Sequence, residues 1–260
     1  MLISSPHNPR IARIRGLLEK RKQRDEEQVF VVEGVRLVEE ALASGWQPEQ
    51  VLFSAQLSAR GRDIVAQFAT RGVEVYEVPP GVMDALADTE TPQGLLAVLP
   101  MRQMPLPERL DFALIVDNLR DPGNLGTLLR SAAAAGAQAV LLSPGTADAF
   151  APKVLRAGMG AHFRLPVYPL RWEAIRALCK NRPEPLRIFL AEAAAEAACW
   201  DQDLRQPLAL MVGGEADGAS AEGLALADQP ISIPMPGRSE SLNAAIAASI
   251  LLFEIVRQRR

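Results

Sequence analysis

One stretch, residues 231–250, reading ISIPMPGRSESLNAAIAASI, constrains this chain more than any other. A short apolar run, Ile231-Ser232-Ile233, is stopped by Pro234 and Pro236. A loop of small and polar residues follows at 237–241, and Leu242-Asn243 opens a helical run at 244–257 that is apolar until Glu254. A strand feeding a loop and then a buried helix is where α/β enzymes commonly place ligands, because groups at the strand's carboxyl end face a crevice. An asparagine at the mouth of an apolar helix needs partners for its amide. On this stretch alone, Ser241 as a helix cap with Asn243 satisfying nearby backbone is a sufficient account.

The rest of the chain sets the context. Its 260 residues suit one large domain or two modest ones. With 48% hydrophobic and 23% charged residues it can bury a sizeable core. The formal net charge of −3 means that any nucleic-acid surface has to be a local patch. Cys179 and Cys199 form no CxxC pair, and His7 and His162 are far apart. That pattern argues against a zinc site, a metal cage or a histidine-based triad, so no metal is expected. No apolar run reaches membrane-spanning length and no signal-peptide pattern opens the chain, so the expectation is a cytoplasmic protein with no membrane partner.

Along the chain, residues 1–27 are locally basic. Arg10, Arg13, Arg15, Lys20, Arg21, Lys22 and Arg24 stand against the single acid Glu19 up to that point. Ile11, Ile14, Leu17 and Leu18 recur at helical spacing, predicting an amphipathic helix with a basic face. That face is either an ordinary solvated one or a phosphate-contacting surface for RNA. Strands at 29–32, 50–54, 73–78 and 95–99 then alternate with helices at 35–43, 60–71 and 81–87, which predicts a small α/β layer over residues 1–100. Residues 101–109, with two prolines and no apolar periodicity, read as a linker. A second α/β unit occupies 110–260. It has strands at 112–116, 139–142, 163–167, 187–190, 207–212 and 231–233, and helices at 127–135, 152–157, 172–180 and 244–257.

Two more pieces in this second unit could carry chemistry. Residues 117–126, DNLRDPGNLG, lie between a strand and a helix and could hold an anion at the helix N-terminus. Neither GxGxxG nor GxxxxGK[ST] is present, which argues against a nucleotide loop. Arg130, in an otherwise small and apolar helix, must pair, snorkel or face a cavity. Gly213-Gly214-Glu215 follows a strand, where glycines either make a turn or let a ligand approach the backbone.

Taken in order and spacing, Asn124…Arg130, Gly213-x-Glu215 and Ile233-Pro-Met…Ser241-Leu-Asn243 resemble the three motifs of the SpoU (TrmH-type) branch of the SPOUT methyltransferases, over residues 110–260. Leu155-Arg156-Ala157-Gly158-Met159-Gly160-Ala161 also looks like the family's, with Gly158 where a serine is common; Gly214 and Ala216 are mild variants of the second motif. SPHNPR, FVVEG and TPQG in the first 100 residues resemble the RNA-binding α/β domain that often precedes this catalytic domain.

The resemblance implies an α/β fold with a parallel sheet and a C-terminal deep trefoil knot, although knots are rare. It implies S-adenosylmethionine as cofactor, held around Gly213, Gly214, Ile233, Met235 and Leu242, and a homodimer with its active site near the interface. The implied reaction is methyl transfer to a ribose 2′-hydroxyl of RNA. Ribosomal RNA is preferred to tRNA because the N-terminal domain type is similar to that of rRNA-modifying members. A non-catalytic RNA-binding or ribosome-assembly factor on the same fold is the rival. Arg130, Asn124, Glu215, Ser241 and Asn243 take the catalytic positions, and the basic residues at 10–24 would grip RNA phosphates.

Overall fold

The computed structural model describes residues 1–260 except Glu90, Ala216, Arg238 and Ser239. The chain divides into two compact units, Met1–Arg102 with Phe150–Phe163, and Gln103–Ala149 with Arg164–Arg260. The first unit runs α1 (Pro9–Glu19), α2 (Arg21–Glu27), β1 (Val29–Glu33), α3 (Val35–Ala43), β2 (Gln50–Ser54), α4 (Ala59–Thr70), β3 (Glu74–Val78), α5 (Pro80–Asp84) and β4 (Leu95–Pro100). The second begins with β5 (Phe112–Val116), α6 (Pro122–Ala135) and β6 (Ala139–Leu142). After α7 (Pro152–Gly158), which belongs to the first unit, it continues with β7 (Val167–Pro169), α8 (Trp172–Lys180), β8 (Arg187–Ala191), β9 (Leu208–Val212), α9 (Ala221–Leu226), β10 (Gln229–Ile231) and α10 (Ala244–Gln258).

In the first unit the sheet order is β1-β4-β2-β3, with β4 antiparallel to both its neighbours and β3 parallel to β2. Alternate residues of a strand face opposite sides. Val29 and Val31 accordingly meet Ile11, Ile14 and Leu17 of α1, while Phe30 and Val32 meet Val38 of α3 and Phe68 of α4. Both faces are buried at β1, β2 and β4, so these strands read as largely apolar runs, while the edge strand β3 keeps Glu74 and Glu77 exposed. Residues 150–163, expected in the second domain, pack here. Phe150 lies 5.0 Å from Phe30, Phe163 lies 5.4 Å from Trp46 (ring centroids), and the Trp46 indole donates to the Phe163 carbonyl. Large aromatic surface draws the segment to this core.

The single helix expected over the basic N-terminal stretch is two helices. Lys20 is extended (φ −116°, ψ 111°) and separates α1 from α2. Arg24 is buried and donates from Nη1 to the carbonyls of Leu17 and Leu18, at 2.5 and 3.1 Å, capping the end of α1.

The second unit is a wholly parallel six-stranded sheet in the order β10-β8-β9-β5-β6-β7. Such sheets are covered on both faces, which explains the apolar runs FALIV, AVLL and LALMV, buried at every position. Ala113, Ile115, Ala209 and Met211 share one core with Ile175 and Cys179 of α8. Helix α10 packs on α6 and against β8 and β9, burying Ala245, Ala248, Leu251, Leu252 and Ile255. The strand expected at 163–167 is instead a 3-10 turn (Ala161–Phe163) followed by β7, and the one expected at 231–233 ends at Ile231. Ser232 then pairs with Ala198, because the chain at 197–199 offers it backbone partners.

Asp117 ties the sheet's carboxyl edge together. It is fully buried at the end of β5. Its Oδ1 accepts from Ser143 Oγ (2.8 Å), after β6, and its Oδ2 accepts from the Ser220 amide (2.7 Å), before α9. Asp117→Ala leaves both donors without their partner and is expected to cost about 2–4 kcal/mol. Urea unfolding of the variant should show a lower midpoint, with Asp117→Asn intermediate because it keeps one acceptor.

Candidate active site

All six strands of the second unit are parallel, so their carboxyl ends share one edge of the sheet. A cavity of about 430 Å³ opens there. That lies within the roughly 300–1,000 Å³ of small-molecule sites. Gly213, Gly214, Ile233, Met235 and Leu242, the residues expected to hold a cofactor, all line it, as do Glu215, Ser241 and Asn243. The wall is mostly aliphatic side chains and strand-end backbone, with few polar groups.

Two glycines are needed where they stand. A Cβ on Gly213 would lie 2.4 Å from the Gly218 carbonyl carbon, and one on Gly214 would lie 2.6 Å from the Asn118 oxygen. Gly214 and Gly218 exchange backbone hydrogen bonds of 3.0 and 3.2 Å, closing a tight turn that presents Glu215. The chain therefore passes too close to itself at this edge for any side chain. Ala216 in that turn lies outside the described residues, as do Arg238 and Ser239 of the 237–241 loop.

Helix α6 starts five residues before the position expected from apolar periodicity. Asp121 is its N-cap, accepting from the Asn124 amide at 2.7 Å, and Pro122 occupies the first turn. The Asp-Pro pair was the readable signal. The earlier start puts Asn124 in the first helical turn instead of a loop. There its Nδ2 donates to Glu215 Oε1 (2.9 Å) and its Oδ1 accepts from Asn243 Nδ2 (2.9 Å). Asn243 in turn is the N-cap of α10, its Oδ1 accepting from the amides of Ala245 (3.0 Å) and Ile246 (3.2 Å). The cap expected of Ser241 is supplied by Asn243, because α10 begins at Ala244, and capping and site-building thus fall to the same side chain.

Glu215 closes the relay. Its Oε2 accepts from the Arg120 amide at 3.4 Å. Burial pushes its carboxyl up, but hydrogen bonds from Asn124 and from the amides of Glu215, Arg120 and Asp121 together outweigh that and hold it below the ordinary glutamate range. It is an ionised acceptor that fixes a loop. Arg120, which sequence reasoning passed over, adds an ion pair to Asp217 across the same turn (3.8 Å).

Arg130 is not brought to this cluster. It lies six residues beyond Asn124 on α6, about 9 Å along the axis and about 240° around it. It is exposed and has no hydrogen-bond or ion-pair partner among the described residues. Of the three options read from the sequence, it projects to solvent. The basic N-terminal residues divide. Arg13 is held by Glu27 and Glu49, Arg10 by Glu74, Arg21 by Asp25 and Lys22 by Glu26. Arg24 is committed to capping α1, which removes it from any solvent-facing surface. Lys20 is exposed and Arg15 half-buried.

The relay predicts non-additivity. Asn124→Ala and Asn243→Ala should each destabilise the fold, and the double variant should fall short of their sum by about 0.5–1.5 kcal/mol. Thermal or urea unfolding of the four proteins measures this; strict additivity would mean that the amide pair carries no coupling.

Residues 111–253 match the SpoU rRNA Methylase family, and residues 8–97 match the MRM3-like substrate binding domain. The chain is 35% identical to the 23S rRNA (guanosine(2553)-2′-O)-methyltransferase RlmP of Bacillus subtilis, over 92% of each chain. It is 35% identical to the mitochondrial rRNA methyltransferase 3A of Danio rerio, over 96% of this chain and 68% of that one. Its fold superposes with a TM-score of 0.88 on the SpoU methyltransferase AviRb of Streptomyces viridochromogenes, solved in complex with the cofactor AdoMet, at 31% identity and covering 97% and 98% of the two chains. The chain belongs to the SpoU rRNA Methylase family.

Proposed function

We propose that this protein transfers a methyl group from S-adenosylmethionine to the 2′-hydroxyl of a ribose in ribosomal RNA. The observation that carries this reading is the Asn243–Asn124–Glu215 relay at a cavity whose wall holds all five residues expected to bind the cofactor. The cavity fits such a molecule: about 430 Å³, mostly apolar, with backbone exposed at Gly213 and Gly214 where a side chain could not stand. Two of the similar proteins, RlmP of Bacillus subtilis and one of Streptomyces viridochromogenes, are named as 23S rRNA 2′-O-methyltransferases, and AviRb was solved with AdoMet. The same reading includes the trefoil knot that the resemblance implies.

The cofactor's sulfonium supplies an already activated methyl group, so this chain's tasks are alignment and the handling of one proton. Glu215 and Asn124 hold the first two motif loops against each other. Asn243 fixes the start of α10, and with it Ser241 and Leu242 on the cavity wall. Asn124 places the ribose hydroxyl. Arg130 is the group that meets the attacking oxygen or a neighbouring phosphate. A guanidinium hardly ever deprotonates in a protein, so its role is to position and stabilise negative charge as the proton leaves late in the step.

Within one chain Arg130 stands away from the relay, and a second copy is the reading that gives it a site. Helix α10 leaves Ile246 and Phe253, seven residues apart and so on one face, at 50% and 49% exposure, an apolar face suited to a homodimer. Ile246→Glu/Phe253→Glu is expected to convert a dimer to a monomer in light scattering and to abolish methyl transfer. A wild-type protein that is monomeric at assay concentration would remove the dimer from the reading.

Exposed Lys20, Arg21 and Lys22, with half-buried Arg15, are the candidates for phosphate contact in the first unit. The deciding experiment is incubation of the protein with S-adenosylmethionine and ribosomal RNA, then nuclease digestion and nucleoside mass analysis. Ribose-methylated nucleosides are expected. Arg130→Ala should lower the yield about a hundredfold or more while cofactor binding is largely kept. Undiminished transfer by that variant would sink the role given to Arg130. Base methylation, methylation of tRNA alone or no product would each overturn the assignment.

A further inference from the structure

Glu192 follows directly on β8 and lines the same cavity. None of the three motifs contains it. Its backbone is pinned on both sides. The Glu192 amide donates to the Ile231 carbonyl (2.9 Å), and its carbonyl accepts from the Ala195 amide (3.2 Å). The side chain is half-buried, and its carboxylate has no hydrogen bond or ion pair among the described residues. The other carboxylate on the cavity wall, Glu215, already has its oxygens engaged by Asn124 and Arg120. Glu192 thus brings to the cavity wall, beside Ala191, Ala193, Ile231 and Ile233, a half-buried carboxylate whose acceptor oxygens are available to donors on a bound ligand.

Strand order says which part of a ligand it can serve. β8 is separated from β5 by β9, so Glu192 stands two strand spacings, roughly 10 Å, from the end of β5 that leads to Asn124. The reacting methyl belongs at the Asn124 end, and a group at the β8 end meets the nucleoside. Among the donors of that nucleoside, a vicinal ribose diol offers two hydroxyls to the two oxygens of one carboxylate. Charge-assisted hydrogen bonds of this kind are strong. A cationic ammonium would have to be desolvated against the aliphatic wall here, which costs far more than placing hydroxyls there. We propose that Glu192 binds the 2′,3′-diol of the cofactor's ribose and so sets the nucleoside's depth in the cavity. This rests on the S-adenosylmethionine reading of the site.

Calorimetric titration with S-adenosylhomocysteine and its 2′-deoxy and 3′-deoxy analogues tests it without any turnover. Wild type should bind the parent compound and lose roughly tenfold for each missing hydroxyl. Glu192→Ala should bind the parent about tenfold or more weakly and discriminate little between it and the deoxy analogues. The isosteric Glu192→Gln, which keeps one acceptor, should fall between, and matching unfolding midpoints would show that the variants are folded. Parent affinity unchanged in both variants, or deoxy penalties that persist in full in Glu192→Ala, would overturn the proposal while leaving the methyltransferase reading intact. Wild type that binds neither S-adenosylmethionine nor S-adenosylhomocysteine would overturn both.

Discussion

One side-chain amide, that of Asn124, holds together three parts of the chain that are remote in sequence. It joins the start of α6 to Glu215, 91 residues away, and to Asn243, 119 residues away. An amide is the chemistry that this junction needs. It must donate to a carboxylate on one side and accept from an N–H on the other; a carboxylate of the same size can only accept, and a hydroxyl would have to do both from a single atom. The Glu215 turn, the entry to α10 and the first turn of α6 therefore keep a common geometry, and the cavity keeps its wall.

The scaffold beneath the junction has no polar freedom. Three central strands are buried at every position, so their register cannot slip without exposing or crowding large side chains. The carboxyl edge is where polar groups collect, and Asp117 binds that edge from below through Ser143 and the Ser220 amide. A rigid edge carrying a small number of oriented amides and carboxylates is suited to alignment chemistry. Methyl transfer from an activated donor asks for alignment more than for strong acid or base.

Sequence motifs marked where the chain approaches itself but not how the pieces meet. Asn124, Glu215 and Asn243 were legible as site residues because three glycine- or proline-broken strand ends in one unit resemble, in order and spacing, the motifs of the family. Their hydrogen-bond order was not legible, since it depends on α6 starting at Pro122 and on Asn243 serving as a cap. Arg130 was read together with the same cluster, and helical geometry turns it away. Arg24 was read with its basic neighbours, but the break at Lys20 folds it back onto the end of α1.

The sequence by itself determined the alternation of buried strands and helices, because apolar periodicity and turn residues act locally, and it marked the family through the resemblance of its three motifs. Only the tertiary structure decided that residues 150–163 join the first unit and that Asp117 is buried beneath the site. It also decided that Glu192 lines the cavity with its carboxylate unpartnered among the described residues, and that one asparagine both caps a helix and completes the relay. Each of these depends on which distant backbone group comes within about 3 Å, the reach of a hydrogen bond. That proximity is set by the packing of whole elements, not by neighbours in the chain.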